Sequence, residues 1–108
     1  MKLPEESDLL RVFVGESDKF EGRPLYQAIV EEAKASGLSG ATVLRGLMGF
    51  GATSRLHTIK VLRISEDLPM VVEIVDSPEK IEAFLPLLKR MAGDGLVTIE
   101  KVRVISGR

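Results

Sequence analysis

Apolar residues recur along this chain with two spacings, a two-residue spacing typical of strands and a three- to four-residue spacing typical of helices. Residues 9–14 (LLRVFV) are apolar on both faces and predict the first strand. Pro24 suits the first position of a helix, because the backbone N–H that proline lacks would have no hydrogen-bond partner there. An apolar stripe with helical spacing follows it as far as Ser36-Gly37. Residues 40–44 then predict a second strand.

The second half of the chain predicts a strand followed by a helix. Residues 70–75 (MVVEIV) predict the third core strand, and Ser77 and Pro78 mark the start of a helix as its N-cap and its first residue. The apolar stripe of this helix continues past Pro86. Since a proline inside a helix loses a hydrogen bond and costs about 3 kcal/mol, we expect a kink or break beside it.

The final segment, residues 96–105, predicts the last strand. Its apolar positions change parity, because Val97 and Val102 fall on opposite faces, and this change predicts a bulge near Glu100-Lys101. The resulting order of elements predicts an α+β domain with a ferredoxin-like βαββαβ fold. In that fold, two helices cover one face of a four-stranded antiparallel sheet.

The predicted domain takes up the whole chain, residues 1–108, and contains one long connection. Residues 47–69 join the second strand to the third. The connection follows directly on the glycine-rich residues 46–51, and its apolar residues 58–64 predict a short extra strand.

The sheet face away from the helices is predicted to be apolar, since Leu9, Phe13, Val71 and Val75 all fall on it. A small monomer seldom exposes a contiguous apolar surface of that size. We therefore expect the chain to form a homo-oligomer that buries this face.

Charge and composition exclude several classes of function. The chain has 15 Lys and Arg against 16 Asp and Glu, so its formal net charge of -1 disfavours binding to nucleic acid or to an anionic membrane. The lack of cysteine excludes disulfides, thiolate catalysis and cysteine metal sites. Without an N-terminal apolar segment or a membrane-spanning run, the sequence predicts a cytoplasmic protein. The lack of Asn and the 29% of charged residues are typical of a thermophile.

Two glycine-containing segments, residues 46–51 and 93–95, indicate a site for an anionic ligand. Glycine lets backbone N–H groups approach a phosphate, and successive N–H groups form an anion-binding nest. The same residues are also typical of ordinary turns, and Gly93-Asp94-Gly95 would equally well end a helix.

The sequence shows no set of catalytic residues. His57 is its only histidine, and no nucleophile has a recognisable base beside it. We therefore expect a protein that is not an enzyme, for which slow nucleotide hydrolysis is the most that these residues would support.

Five segments resemble, in their order and spacing, the PII signal-transduction superfamily, and one of them, residues 72–75 (VEIV), resembles the strand that follows its T-loop. Residues 45–51 (RGLMGFG), with the later Leu68-Pro69 and residues 73–76 (EIVD), resemble most closely an uncharacterised PII-like family. Residues 37–43 (GLSGATV) resemble the segment that enters the second PII strand, and residues 49–51 (GFG) resemble the base of the mobile T-loop. Residues 93–95 (GDG) resemble the B-loop, and residues 103–105 (RVI) the end of the last strand. One departure is Leu96, which stands where PII proteins usually carry Lys or Arg.

The resemblance implies a homotrimer that binds an adenine nucleotide (AMP, ADP or ATP), and no metal, in clefts between its subunits. The nucleotide would change the order of the loop at residues 47–69, which would then dock on or leave a partner such as a membrane transport protein. By carry-over from the family, the nucleotide-binding residues would be Thr42, Gly49, Phe50, Gly51, Gly93, Asp94, Gly95 and Arg108. Arg45, which flanks the long loop and is available to a phosphate, and Arg103 complete the predicted set of nucleotide-binding residues.

Two other functions fit the same fold. A trimeric scaffold or metal-tolerance-like protein would use the fold without sensing a nucleotide, with His57 as the only histidine available for a metal. RNA-binding modules also have the βαββαβ order, but they stack bases on aromatic residues of the first and third strands. Residues 70–75 contain no aromatic residue, which disfavours RNA binding.

Overall fold

The computed structural model describes residues 2–51 and 67–107 of the chain. Six strands and two helices are found in these two ranges. In chain order they are β1 (Glu6–Gly15), β2 (Lys19–Phe20), β3 (Arg23–Pro24), α1 (Leu25–Ala35), β4 (Thr42–Arg45), β5 (Pro69–Asp76), α2 (Pro78–Ala92) and β6 (Leu96–Arg103).

Four of the strands form one antiparallel sheet with the order β4-β5-β1-β6. Strand β1 is therefore central and pairs with β5 on one side and β6 on the other. Both helices contact β1 and β5 and each other, so they form one layer against one face of the sheet. The predicted α+β ferredoxin-like fold is confirmed, and only the short β2–β3 hairpin was not expected.

The core lies between this sheet and the helices, and alternation in the two central strands builds it. Every second residue of β1 is buried against the helices, and each stands opposite a buried residue of β5, for example Leu10 opposite Ile74 and Val12 opposite Val72. Burial of one such side chain contributes about 1.5–3 kcal/mol. The helices supply Leu25, Ala28, Ile29, Ala33, Ile81, Phe84, Leu88 and Met91.

The first helix starts one residue later than Pro24 predicts. Pro24 precedes α1 instead of opening it, because it pairs with Lys19 in the β2–β3 hairpin. The predicted end of the helix is confirmed. Gly37 adopts φ 85, a left-handed conformation that glycine takes without a steric cost, and Leu38 N–H donates to Ala33 O over 3.1 Å.

The second helix begins as predicted, because the Ser77 side chain accepts a hydrogen bond from Lys80 N–H over 3.2 Å. The structure shows no break at Pro86, since α2 runs as one helix from Pro78 to Ala92, and a kink beside the proline stays a prediction. Pro86 lies on the exposed side of the helix, and so does Glu82, whose carbonyl would otherwise bond to residue 86. Water can satisfy that carbonyl, so the helix continues through the proline.

The predicted bulge near Glu100-Lys101 is also wrong. The pairing of β6 with β1 runs without interruption from Glu6 opposite Arg103 to Phe13 opposite Leu96. The apolar positions change parity because this edge strand carries apolar residues on both of its faces. Val97 packs against the core, whereas Val102 is half-buried on the other face.

Among residues 2–51 and 67–107, no helix is long and apolar enough to cross a membrane.

Truncation of Ile81 to alanine tests the position of the core. Ile81 is fully buried, so the Ile81→Ala variant leaves a cavity and should lose about 2–5 kcal/mol of unfolding free energy. Its exposed neighbour Glu82 provides the control, and Glu82→Ala should change stability by less than about 0.5 kcal/mol. Urea denaturation measures both, and equal losses would contradict the assignment of this helix face to the core.

Candidate functional site

A cavity of about 310 Å³ opens where β4 begins beside β5. The short segment before β4 forms one wall, and two β5 side chains, Glu73 and Val75, form another. Its lining is Leu3, Ser39, Gly40, Ala41, Thr42, Glu73 and Val75. The cavity combines apolar walls with two hydroxyls and a carboxylate, a composition typical of small-molecule sites.

A buried aspartate at the end of β5 holds the wall of this cavity in place. The Asp76 carboxylate accepts hydrogen bonds from Ser39 N–H over 2.8 Å and from Ser77 N–H over 2.7 Å. The Ser39 hydroxyl donates in turn to Val75 O over 3.1 Å. One carboxylate therefore joins the cavity wall to the start of α2.

An ion-paired row lies beside the cavity on the sheet face away from the helices. Thr42 of β4 stands opposite Glu73 of β5, which stands opposite Arg11 of β1. Arg11 Nε donates to Glu73 Oε2 over 2.8 Å, and Arg11 Nη1 donates to Glu100 Oε1 over 2.9 Å. The hydrogen bond to Glu73, assisted by the charge of Glu100, raises the pKa of the Arg11 guanidinium above its ordinary value.

The glycine-rich segment packs tightly against the start of β5. Gly46 N–H donates to Pro69 O over 2.7 Å, and a Cβ on Gly46 would lie 2.8 Å from Pro69 Cγ. A Cβ on Gly49 would lie 3.2 Å from the same carbon. These two glycines are therefore needed for a close approach of the chain. Phe50 beside them is 83% exposed.

Polar contacts join both ends of the long connection to the turn after β1. Arg45 Nη2 lies 3.1 Å from the Glu16 carboxylate. Glu16 N–H donates to Leu68 O over 2.8 Å, and the Ser17 hydroxyl donates to Asp67 Oδ1 over 2.7 Å. We call these five residues the neck. Arg45, a predicted ligand of the nucleotide, is thus paired with a carboxylate in this structure.

The predicted phosphate loop forms an ordinary helix end. Gly93 N–H donates to Lys89 O over 3.0 Å, and Gly95 N–H donates to Ala92 O over 2.9 Å. Gly93 has φ 60, a conformation that favours glycine. A phosphate at this turn would accept a hydrogen bond from Asp94 N–H, or it would compete with Lys89 O and Ala92 O for the N–H groups of Gly93 and Gly95.

The predicted basic ligands at the C-terminus are only partly described. Arg103 is exposed at the last position of β6, where its Nε lies 3.6 Å from Glu5 Oε2. Arg108 lies outside the described residues, as do His57 and the predicted extra strand at residues 58–64. Among the described residues, no group of three or more His, Cys, Asp or Glu could hold a metal ion.

The structure places the predicted nucleotide ligands at two opposite edges of the sheet. Thr42, Arg45 and residues 49–51 lie on or beside the β4 edge, whereas residues 93–95 and Arg103 lie on or beside the β6 edge. Strands β5 and β1 stand between these edges, so the two groups are roughly 14 Å apart across the sheet. A single chain therefore does not bring together the predicted ligands that lie within residues 2–51 and 67–107.

Sequence reasoning did not include Glu73 or Arg11 among the predicted nucleotide-binding residues. Both are charged residues in the middle of otherwise apolar strands, MVVEIV and LLRVFV. One strand carries a negative charge at its centre and the other a positive charge. This pattern is the sequence signal that could have predicted an ion pair between Glu73 and Arg11. Leu3, which lines the cavity from the N-terminal segment, carried no signal.

Two solved PII-like proteins have this fold. A putative PII-like signaling protein from Thermus thermophilus matches with a TM-score of 0.59 and 22% identity, over 97% of this chain and 94% of that chain. CPII from Thiomonas intermedia, a nitrogen regulatory PII-like protein bound to ADP, AMP and bicarbonate, matches with a TM-score of 0.57 and 18% identity. That match covers 95% of this chain and 94% of that chain. The fold is therefore that of PII-like proteins.

The chain belongs to the DUF190 family, described as uncharacterized ACR, whose model matches residues 7–104. A UPF0166 protein of Aquifex aeolicus is 45% identical over 97 residues, which are 90% of this chain and 91% of that protein. A UPF0166 protein of Methanocaldococcus jannaschii is 35% identical over 94% of each chain. The sequence resemblance to an uncharacterised PII-like family is confirmed.

A substitution at Gly46 tests the close approach of the glycine-rich segment to Pro69. The Cβ of a Gly46→Ala variant would collide with Pro69, so we expect a loss of about 1–3 kcal/mol of unfolding free energy. Gly40→Ala is the matched control, because a Cβ there meets nothing within 4 Å. Urea denaturation compares the two variants, and equal stability of both would contradict the packing of Gly46 on Pro69.

Proposed function

We propose that this chain is a PII-like regulatory protein that binds an adenine nucleotide in clefts between the subunits of a homotrimer. It signals to a partner protein through the connection at residues 47–69, and it is not an enzyme. One observation carries the proposal: the candidate ligands lie at opposite edges of one sheet, with a cavity of suitable size at the β4 edge. The site is completed when the β4 edge of one subunit meets the β6 edge of the next.

The cavity suits the uncharged end of a nucleotide. Leu3, Ala41 and Val75 give it apolar walls that can contact a purine ring, and Thr42 offers a hydroxyl to its edge. The basic residue Arg45 is on the same strand as Thr42, and Arg103 is on the opposite edge of the sheet. In this arrangement the base binds beside β5 and the phosphates extend toward basic side chains of two subunits.

The exposed sheet face supports the assembly of subunits. Leu9, Phe13, Val71 and Val75 lie on this face and are only half-buried, as predicted. Phe13 and Val71 stand opposite each other, and their cross-strand row continues to both edges of the sheet. At these edges Leu44 is 48% and Leu96 is 56% exposed. Burial of this row in a trimer removes an apolar surface that would otherwise favour aggregation.

The neck supports a signal from the cleft to the long connection. Arg45 is the last residue of β4, and its partner Glu16 also contacts Leu68 at the other end of the connection. A nucleotide phosphate that takes Arg45 from Glu16 would loosen one of the contacts that hold this connection. The coupling free energy between two sites in such switches is typically about 1–3 kcal/mol. The loss of one or two contacts such as the Arg45–Glu16 ion pair is sufficient to supply a coupling of this size.

The proposed ligand class agrees with a structural neighbour, since CPII was solved with ADP, AMP and bicarbonate. A second, weaker candidate for this chain is a trimeric scaffold without nucleotide sensing, and the same experiment separates the two functions.

Calorimetric titration of nucleotide-free protein with AMP, ADP and ATP, together with its mass from light scattering, tests the proposal. We expect a trimer that binds about one nucleotide per subunit. Removal of the hydroxyl in Thr42→Val should weaken binding about tenfold, because a hydrogen bond in the cavity is lost.

The control for this experiment is Glu82→Ala, which changes an exposed residue of the helix layer and should bind like the wild-type protein. A trimer that binds none of the three nucleotides would contradict nucleotide sensing and support the scaffold.

A further inference from the structure

A carboxylate faces the candidate cavity in an orientation that the sheet fixes. Glu73 stands between Thr42 and Arg11 in one cross-strand row, and its side chain is 28% exposed. Arg11 holds Glu73 Oε2 at 2.8 Å, and Glu100 holds the other side of the same guanidinium at 2.9 Å. Two carboxylates on flanking strands therefore fix the guanidinium, and the guanidinium fixes Glu73.

The contacts of Glu73 with other described side chains use Oε2. Its second carboxylate oxygen therefore remains an acceptor for a ligand in the cavity that Glu73 lines. A carboxylate offers no donor, so it favours a ligand that presents an N–H or O–H group. It also repels phosphate, which directs the charged end of a nucleotide away from this wall.

The rest of the lining determines which part of a nucleotide reaches Glu73. Leu3, Ala41 and Val75 form apolar surface around the carboxylate, and such surface favours a purine ring over a hydrated ribose. The donor that an adenine ring carries is its exocyclic amino group. The free oxygen of the Glu73 carboxylate can accept a hydrogen bond from this amino group.

We propose that Glu73 is the specificity-determining residue of this cavity, which accepts a hydrogen bond from the exocyclic amino group of adenine, and that Arg11 is the positioning residue that holds Glu73 for this contact. This inference rests on the proposed function and goes further, since it names the base atom that is recognised. It also explains why a largely apolar sheet face carries Arg11 and Glu73 at its centre.

The test compares ADP with purine riboside 5′-diphosphate, which lacks only the amino group. Wild-type protein should bind ADP about tenfold more tightly, the typical effect of one hydrogen bond to a charged group. Glu73→Met removes the acceptor and should bring this ratio close to one. Glu73→Gln keeps a carbonyl acceptor and should retain part of the preference.

The positioning role of Arg11 has its own readout. Arg11→Met should lower the preference for ADP although it leaves Glu73 in the cavity, and Arg11→Lys should restore part of the preference. Unfolding free energies and light scattering confirm that each variant is folded and assembled. A merely structural ion pair would change the unfolding free energy and leave the preference between the two nucleotides unchanged.

The outcomes separate this inference from the proposed function. Failure of the wild-type protein to bind either nucleotide contradicts the proposed function itself. Binding of both nucleotides with equal affinity, or a preference that Glu73→Met does not alter, overturns the inference about Glu73 and leaves nucleotide binding intact. An unaltered preference in Arg11→Met overturns the positioning role alone.

Discussion

The pairing of β1 with both β5 and β6 is the constraint on which the rest of the structure depends. Because side chains alternate along a strand, one set of β1 residues, such as Leu10 and Val12, forms the core with the helices. The other set, with Arg11 at its centre, forms the outer face and reaches Glu73 and Glu100 on the two flanking strands. A shift of one residue in this register would bury Arg11 and expose the core.

The same sheet order separates the candidate site into two halves. Thr42 and the cavity belong to the β4 edge, and the turn at residues 93–95 belongs to the β6 edge, with two strands between them. A closed ring of subunits brings unlike edges together, and each cleft then receives residues from two chains. In the proposed trimer, burial of the apolar outer face would provide the energy for assembly, so the feature that favours association would also complete the site.

The fold was largely predictable, because alternation in β1 and β5, the Ser77 cap and Gly37 are local signals that the structure retains. The predictions of a break at Pro86 and of a bulge in β6 were wrong. Both features depend on which side of the helix or strand is exposed to water, and the local sequence does not show this. Thr42 was predicted as a nucleotide ligand through family resemblance, and the structure places it in the cavity lining, while its role as a ligand stays a prediction. Its row partners Glu73 and Arg11 were not among the predicted nucleotide-binding residues, since their pairing depends on the register of two strands far apart in sequence.

The most direct test of the composite cleft mixes two variants in one trimer. Ala41→Phe fills the cavity at the β4 edge, and Arg103→Glu reverses a charge at the β6 edge, so neither variant alone should bind ADP. When equal amounts are unfolded and reassembled together, about a quarter of the clefts in random trimers contain two intact edges. Recovery of ADP binding to about that fraction is the result that the account predicts. No recovery in trimers shown to be mixed would contradict a site shared between subunits.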